Sequence, residues 1–323
     1  MTDPHAVSRV IEQIVEAPRR TSEDLLSRDG FSGAALMELL TRLTALLCDE
    51  RNAYTEVGVY RGLTLSTVAS STNAPCVGID DFSLFNADAS NRSTVERRLN
   101  EAGCDNVTLA DMDFEVALRD WTSLGRGADA IGVLFIDGPH DYRSQLVGLL
   151  LGRLVMRDGG VIVVDDANYA HVRQASYDFI AAFPDWALVA EITTAGHPDV
   201  VTPEQHVAAR AGWWNGVHVL QHDPANAVPR LETEHVDLHP HVDSHDVFLH
   251  RFGPAVLPGL NGYLRAQAQL PDRDAAGDEL LNVLDKLIVD SSNRSPTQNT
   301  ETSGRIAVRL AAQPEQGRWL GNG

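Results

Sequence analysis

Apolar residues recur at helical spacing through the first fifty positions. Val7, Val10, Ile11, Ile14 and Val15 form one set, and Leu36, Leu39, Leu40, Leu43, Leu46 and Leu47 another. Steps of three and four residues place each set on one stripe of a helix. After Asn52 the pattern changes. Short, near-continuous apolar runs at 54–60, 75–79, 107–110, 131–136 and 160–164 alternate with helical segments at 63–70, 93–102, 114–121, 142–155 and 171–183. Strands apolar on both faces and separated by helices predict a parallel sheet covered on both sides. Two further runs, 186–192 and 215–222, complete a set of seven. The expected class is α/β: a Rossmann-like, doubly wound, mostly parallel seven-stranded sheet with N-terminal helices and a C-terminal extension.

This rhythm divides the chain into an N-terminal helical segment (1–50), a core (51–222), an extension (223–290) and a polar, mobile tail (291–323). The connection from Thr193 to Trp214 is long and rich in Gly, Pro, His and Trp, and loops of that length in compact domains are commonly functional. Trp213 and Trp214 suit either a substrate wall or plain packing. In the extension, residues 234–251 interleave His235, His239, His241, His245 and His250 with aspartates. No metal-ligand spacing recurs there and Pro240 interrupts any helix, so the segment reads as polar surface or substrate rim. Leu280 to Ile288 has helical periodicity. Like the N-terminal helices, it suits either closing a pocket or a homo-oligomer interface. The tail contains one apolar island, Ile306–Ala311.

Composition narrows the partners. Lys and Arg total 26 against 45 Asp and Glu, a formal charge of −19. Nucleic acids and anionic membranes recruit basic surface, so neither is an expected partner. Lys286 is the only lysine, which leaves lysine-dependent chemistry a single candidate. Three cysteines without a C-x-x-C pair predict a reducing compartment and no disulfide framework. With no signal peptide and no apolar run of membrane length, a cytoplasmic location is expected.

Two constellations carry chemistry. The first is Glu56-Val-Gly58-Val-Tyr60-Arg-Gly62, at the turn leaving the first core strand, with Asp80 ending the second. Glycines let a backbone pass close to a ligand, a following helix presents amides, and an acid at Asp80 suits ribose hydroxyls. Tyr60 stands where a dinucleotide fingerprint would have its middle glycine, which disfavours NAD. The second is Phe135-Ile-Asp137-Gly-Pro-His140-Asp-Tyr142 after the fourth strand, with Gly159-Gly-Val-Ile-Val-Val-Asp165-Asp166 ending the fifth. Neighbouring parallel strands bring Asp137, Asp165 and Asp166 together. Three carboxylates repel one another unless a cation lies between them, and oxygen ligands favour Mg²⁺. Helix capping and turn formation are the plain alternative for these aspartates. His140 is placed to take a proton from a hydroxyl.

The pattern E-x-G-x-x-x-G followed by an acid resembles the S-adenosylmethionine (SAM) site of class I methyltransferases. V-G-V-Y-R-G, I-D-G-x-H-x-Y and G-G-V-I-V-x-D-D are similar to the Mg²⁺-dependent sugar O-methyltransferases of natural-product pathways, the macrocin and mycinamicin type. The resemblance covers roughly Asn52 to Asn168. It implies SAM binding by Glu56, Gly58, Tyr60, Gly62, Asp80, Asp111 and Asp137, metal binding by Asp137, Asp165 and Asp166, and His140 as base. For Asp111, capping of the helix at Phe114 is an equal alternative. The implied acceptor is a hydroxylated small molecule, sugar-containing or polyol, in antibiotic or other natural-product biosynthesis. Catechol enzymes are similar in layout but carry lysine where this chain has His140, and asparagine where it has Asp166.

Overall fold

The computed structural model describes residues 3–17, 29–86, 89–125, 127, 130–198, 201–233, 307–311 and 318–319. Helices α1 (Ala6–Glu16) and α2 (Ala34–Leu47) precede the alternation β1 (Ala53–Val57), α3 (Leu63–Ala69), β2 (Cys76–Asp80), α4 (Asn91–Glu101), β3 (Val107–Asp111), α5 (Phe114–Arg119), β4 (Ile131–Ile136), α6 (Tyr142–Gly152), β5 (Met156–Asp165), α7 (Ala170–Ala182) and β6 (Trp186–Thr193). Helix α8 (Pro203–Ala211) and strand β7 (Val217–His222) follow, then β8 (Ala307–Leu310) and β9 (Arg318–Trp319).

Alternate residues of the central strands feed opposite faces of the sheet. Val133 and Phe135 pack with α1, α2 and α3. Leu134 and Ile136 pack with Ala117, Leu149 and Phe179 of α5, α6 and α7. Burial on both faces explains why these strands read as continuous apolar runs. The doubly wound architecture is as expected, but the sheet itself differs. It has nine described strands in the order β3-β2-β1-β4-β5-β7-β6-β8-β9. Pairing is parallel from β3 through β5 and antiparallel at β5–β7, β6–β7, β6–β8 and β8–β9. The sheet is therefore mixed, not a mostly parallel set of seven.

The connection between β6 and β7 explains the reversal. It stays at the carboxyl end of the strands, where Asn168 Nδ2 donates to Thr194 Oγ1 and to Asn215 Oδ1. A parallel β7 would need a crossover back to the opposite end. Within this connection α8 is an element the apolar pattern does not disclose. Its signal is a start motif: Thr202 and Gln205 form a reciprocal capping box, with Pro203 in the first turn. The apolar island at 306–311 contributes β8, which pairs with β6 from Ala190 to Thr193. The His-rich stretch at 234–251 and the helix expected at 280–288 lie outside the described residues. The three cysteines are free thiols.

Candidate active site

A cavity of about 300 Å³ opens at the carboxyl ends of β1, β2, β4 and β5. One side is walled by Gly58, Tyr60, Asp80, Asp81, Met112 and Phe114. The other is walled by Asp137, His140, Asp166, Tyr169, His197 and Trp214, with Phe31 arriving from the segment before α2. Both constellations read from the sequence thus border one space.

The glycine turn is built by strand packing. Strand β1 ends at Val57, and Gly58 takes φ +88° where the β4 loop crosses it. A Cβ on Gly58 would lie 1.9 Å from the Asp137 carbonyl oxygen. Any side chain here would push the two strand ends apart. Asp80 then ties the turn down: its Oδ2 accepts from the Val59 and Tyr60 amides at 2.8 and 2.7 Å, and its Oδ1 from Phe82. Burial raises the Asp80 carboxyl above its ordinary range, opposed by those amides.

Glu56 and Gly62 do not line the cavity. Glu56 is fully buried, accepting from Tyr54 Oη at 2.6 Å and Thr64 Oγ1 at 2.7 Å. Burial pushes its carboxyl up to about 7 against those two hydrogen bonds. It reaches the cavity only through Thr64, which does line it. Gly62 supplies the left-handed cap of α3. Asp111 is half-exposed and pairs with Arg92. Met112 and Asp113 face the cavity in its place, and Asp113, not Asp111, caps α5.

Asp137, His140 and Asp166 converge, with one ligand atom from each lying within 4.8 Å of the others. His140 Nε2 is 2.6 Å from Asp166 Oδ2 and 3.6 Å from Asp137 Oδ1. Asn215, a residue the sequence reading missed, donates its amide to Asp166 Oδ1. Asp166 is itself held at φ +58°. Burial opposes its ionisation, but His140, Asn215 and His197 together hold its carboxyl well below the usual range. Asp165 behaves oppositely. Burial, then the charge of Asp166, raises it well above the ordinary carboxylate value. Its Oδ1 accepts from the Asp166 amide, while Oδ2 is buried without a hydrogen-bond partner.

Asp137, Asp166 and His140 bring two carboxylate oxygens and an imidazole nitrogen together, a donor set that fits a divalent cation. Asp165, expected with them, is not part of that group and does not line the cavity. The other wall fits a nucleoside: Ile79, Met112 and Phe114 offer apolar surface to a flat base, and Asp80 and Asp81 offer carboxylates near it.

Residues 55–167 match a family model described as a methyltransferase domain. The chain has the fold of a class I SAM-dependent methyltransferase. Curated proteins give no significant sequence match. Among solved structures, the chain is similar to an O-methyltransferase from Bacillus cereus in complex with SAH, at 14% identity over 68% of this chain and 90% of that one, TM-score 0.44. It is also similar to TomG from Streptomyces achromogenes, an O-methyltransferase involved in tomaymycin synthesis and solved with SAM, at 16% identity over 69% and 100%, TM-score 0.45. A third is an rRNA methylase from Streptococcus thermophilus, at 11% identity over 58% and 95%, TM-score 0.40. No described helix is long and apolar enough to cross a membrane.

Proposed function

We propose that the protein is a SAM-dependent, metal-assisted O-methyltransferase acting on a hydroxyl of a sugar-containing or polyol small molecule in natural-product biosynthesis. The observation that carries this reading is the convergence of Asp137, His140 and Asp166 on the cavity that the glycine turn also borders. SAM supplies an electrophilic methyl group, so the protein's own task is to hold the acceptor in line and remove its proton. Gly58, Tyr60, Asp80 and Asp137 are the proposed cofactor contacts, and Glu56 supports them through Thr64. Gly62 acts by capping α3, and Asp111 contributes through its neighbours Met112 and Asp113.

Asp137 and Asp166, with Asp165 as the proposed third carboxylate, would hold a divalent cation, which would lower the pKa of a bound hydroxyl and fix its position. His140 is the proposed base for the acceptor's proton, and Asp166 and Asp137, 2.6 and 3.6 Å from its Nε2, stabilise the resulting imidazolium. Asn215 keeps Asp166 turned towards the histidine.

Calorimetry with S-adenosylhomocysteine (SAH) and a methyl-transfer assay on glycosides test the reading. SAH should bind with or without metal. EDTA should abolish transfer, Mg²⁺ should restore it, and Asp137→Ala should lose both turnover and the response to Mg²⁺. Full turnover in EDTA would remove the metal from the proposal, and absence of SAH binding would remove the function.

A further inference from the structure

Four aromatic rings from separate parts of the chain meet at the mouth of the cavity. Phe31 stacks on Tyr60 with centroids 4.9 Å apart and planes 13° apart. Phe85 meets Phe31 edge-on at 5.9 Å and Tyr60 at 6.1 Å, and Trp214 lies 6.2 Å from Phe31. Phe31 touches all three rings yet remains 45% exposed. Packing a core would bury it.

The backbone is bent to make this arrangement. Tyr60, Phe85 and Trp214 have φ of +51°, +50° and +57°, left-handed conformations that bulky side chains avoid. Such strain persists where surrounding structure imposes it, and it gathers at ligand sites. The turn bearing Phe31 is pinned from several directions. Arg210 of α8 donates to the carbonyls of Gly30 and Ser32, and the Ala35 amide donates to the Gly212 carbonyl at 3.0 Å. Arg61 pairs with Asp29 just before the turn. At Gly33 a Cβ would come within 2.2 Å of the Gly212 carbonyl oxygen, so the turn and the end of α8 are in direct backbone contact.

Charge selects the kind of ligand these rings suit. No Lys or Arg is among the described residues lining the cavity, which disfavours phosphorylated or other anionic acceptors. A cationic ligand is disfavoured by the guanidinium groups of Arg61 and Arg210, which already lie over the Tyr60 and Trp214 rings at 5.4 and 5.6 Å. A flat, uncharged group remains.

We propose that Phe31, Tyr60, Phe85 and Trp214 form a stacking shelf for a planar aromatic or conjugated part of the acceptor, adjoining the hydroxyl to be methylated. The proposal rests on the O-methyltransferase reading for its hydroxyl, but the shelf has its own test. Calorimetry would compare phenyl β-D-glucopyranoside, methyl β-D-glucopyranoside and catechol on protein loaded with Mg²⁺ and SAH, and again on the protein alone. The phenyl glycoside should bind about tenfold more tightly than the methyl glycoside, the scale of one aromatic contact. Phe31→Ala should erase that preference, Phe31→Tyr should keep it, and neither should change SAH affinity. Phe31-dependent binding of catechol alone would support the shelf and overturn the sugar. Failure of SAH to bind would overturn the methyltransferase, with the glycoside comparison on the protein alone still deciding the shelf. Equal affinity for the two glycosides without Phe31-dependent catechol binding, a preference that survives Phe31→Ala, or no binding of any probe would overturn the shelf. Loss of SAH affinity in Phe31→Ala would reassign the ring to the cofactor.

Discussion

Glu191 and the Asp165–Asp166 pair are both carboxylate sites buried in the same sheet beside an imidazole, and they differ in how completely they are satisfied. At Glu191 every partner is protein. Tyr177 Oη donates to Oε2, His218 Nε2 lies 3.2 Å from that oxygen, and Arg309 of β8 donates to Oε1 at 3.3 Å. Burial would raise this carboxyl, but His218, Tyr177 and Arg309 outweigh it and bring it down to about 2. At the cavity, Asp166 has His140 and Asn215, while its neighbour Asp165 keeps a buried oxygen with no partner. Similar residue types thus do two jobs. A carboxylate with partners at both oxygens holds elements together, here β6, β7, α7 and β8, although His218 Nδ1 stays buried without a partner. The Asp166 group borders an open cavity with Asp137 and His140, and so retains the capacity to bind something else.

His140→Ala should break this comparison most strongly. If His140 removes the acceptor proton, the substitution lowers kcat by ~10²–10⁴. SAH affinity should hold, because the cofactor wall lies at other strand ends, while thermal stability should fall modestly because buried Asp166 loses the imidazole 2.6 Å from its Oδ2. Stopped assays on the purified variant, beside a melting curve, give both readouts. Near-wild-type kcat would assign the proton to an aspartate and make His140 a loop residue.

Much of this was legible in the sequence, for a physical reason. Burial on both faces writes a strand as an apolar run, so β1 to β7 and the helices up to α7 emerge from periodicity. The end of a parallel strand is also where side chains meet, which is why Asp137, Asp165 and Asp166 were expected together; the structure gathers Asp137 and Asp166 with His140 and leaves Asp165 outside that group. Periodicity says nothing about direction reversal, and the antiparallel β7 follows from where residues 194–216 lie. Convergence across distant loops was equally hidden. Asn215 is 49 positions from Asp166. Phe31 meets Tyr60 because Arg210, Gly212 and Arg61 pin its turn. The tryptophan pair was divided by the fold: Trp213 is core, and Trp214 lines the cavity. For α8 a signal existed at Thr202 and Gln205, but it is polar, and an apolar search passes over it.

Glu191 makes the second prediction. Glu191 has a folded-state pKa near 2 against an ordinary 4.5. A depressed carboxylate stabilises the fold fully above 4.5, and that contribution is lost as pH falls from 4.5 towards 2. The difference is worth about 3 kcal/mol. Glu191→Gln should therefore lower unfolding free energy by up to about 3 kcal/mol at pH 7 and flatten its acid limb between pH 4.5 and 2. Urea unfolding across that range reads both effects. The turnover of the folded variant should match wild type. A large fall in kcat at unchanged stability would mean that the two sites are coupled through β7 and are not separate devices.

The smallest effect is expected at Asp111, which tests where the cofactor wall ends. Its carboxylate lies at the surface in an ion pair with Arg92, and both side chains are about half in water. Exposed pairs of this kind contribute roughly 0–1 kcal/mol because water and salt screen them and the side chains lose freedom. Asp111→Asn should shift unfolding free energy by less than about 1 kcal/mol, and the shift should shrink in high salt. Met112 and Asp113, not Asp111, border the cavity, so SAH affinity should stay within roughly threefold of wild type, under 1 kcal/mol. Met112→Ala, which removes apolar wall, should weaken SAH by more. If Asp111→Asn instead costs tenfold or more in SAH affinity while Met112→Ala costs little, the carboxylate swings from Arg92 to the cofactor on binding. The nucleoside wall then extends one residue further along β3 than the cavity shows.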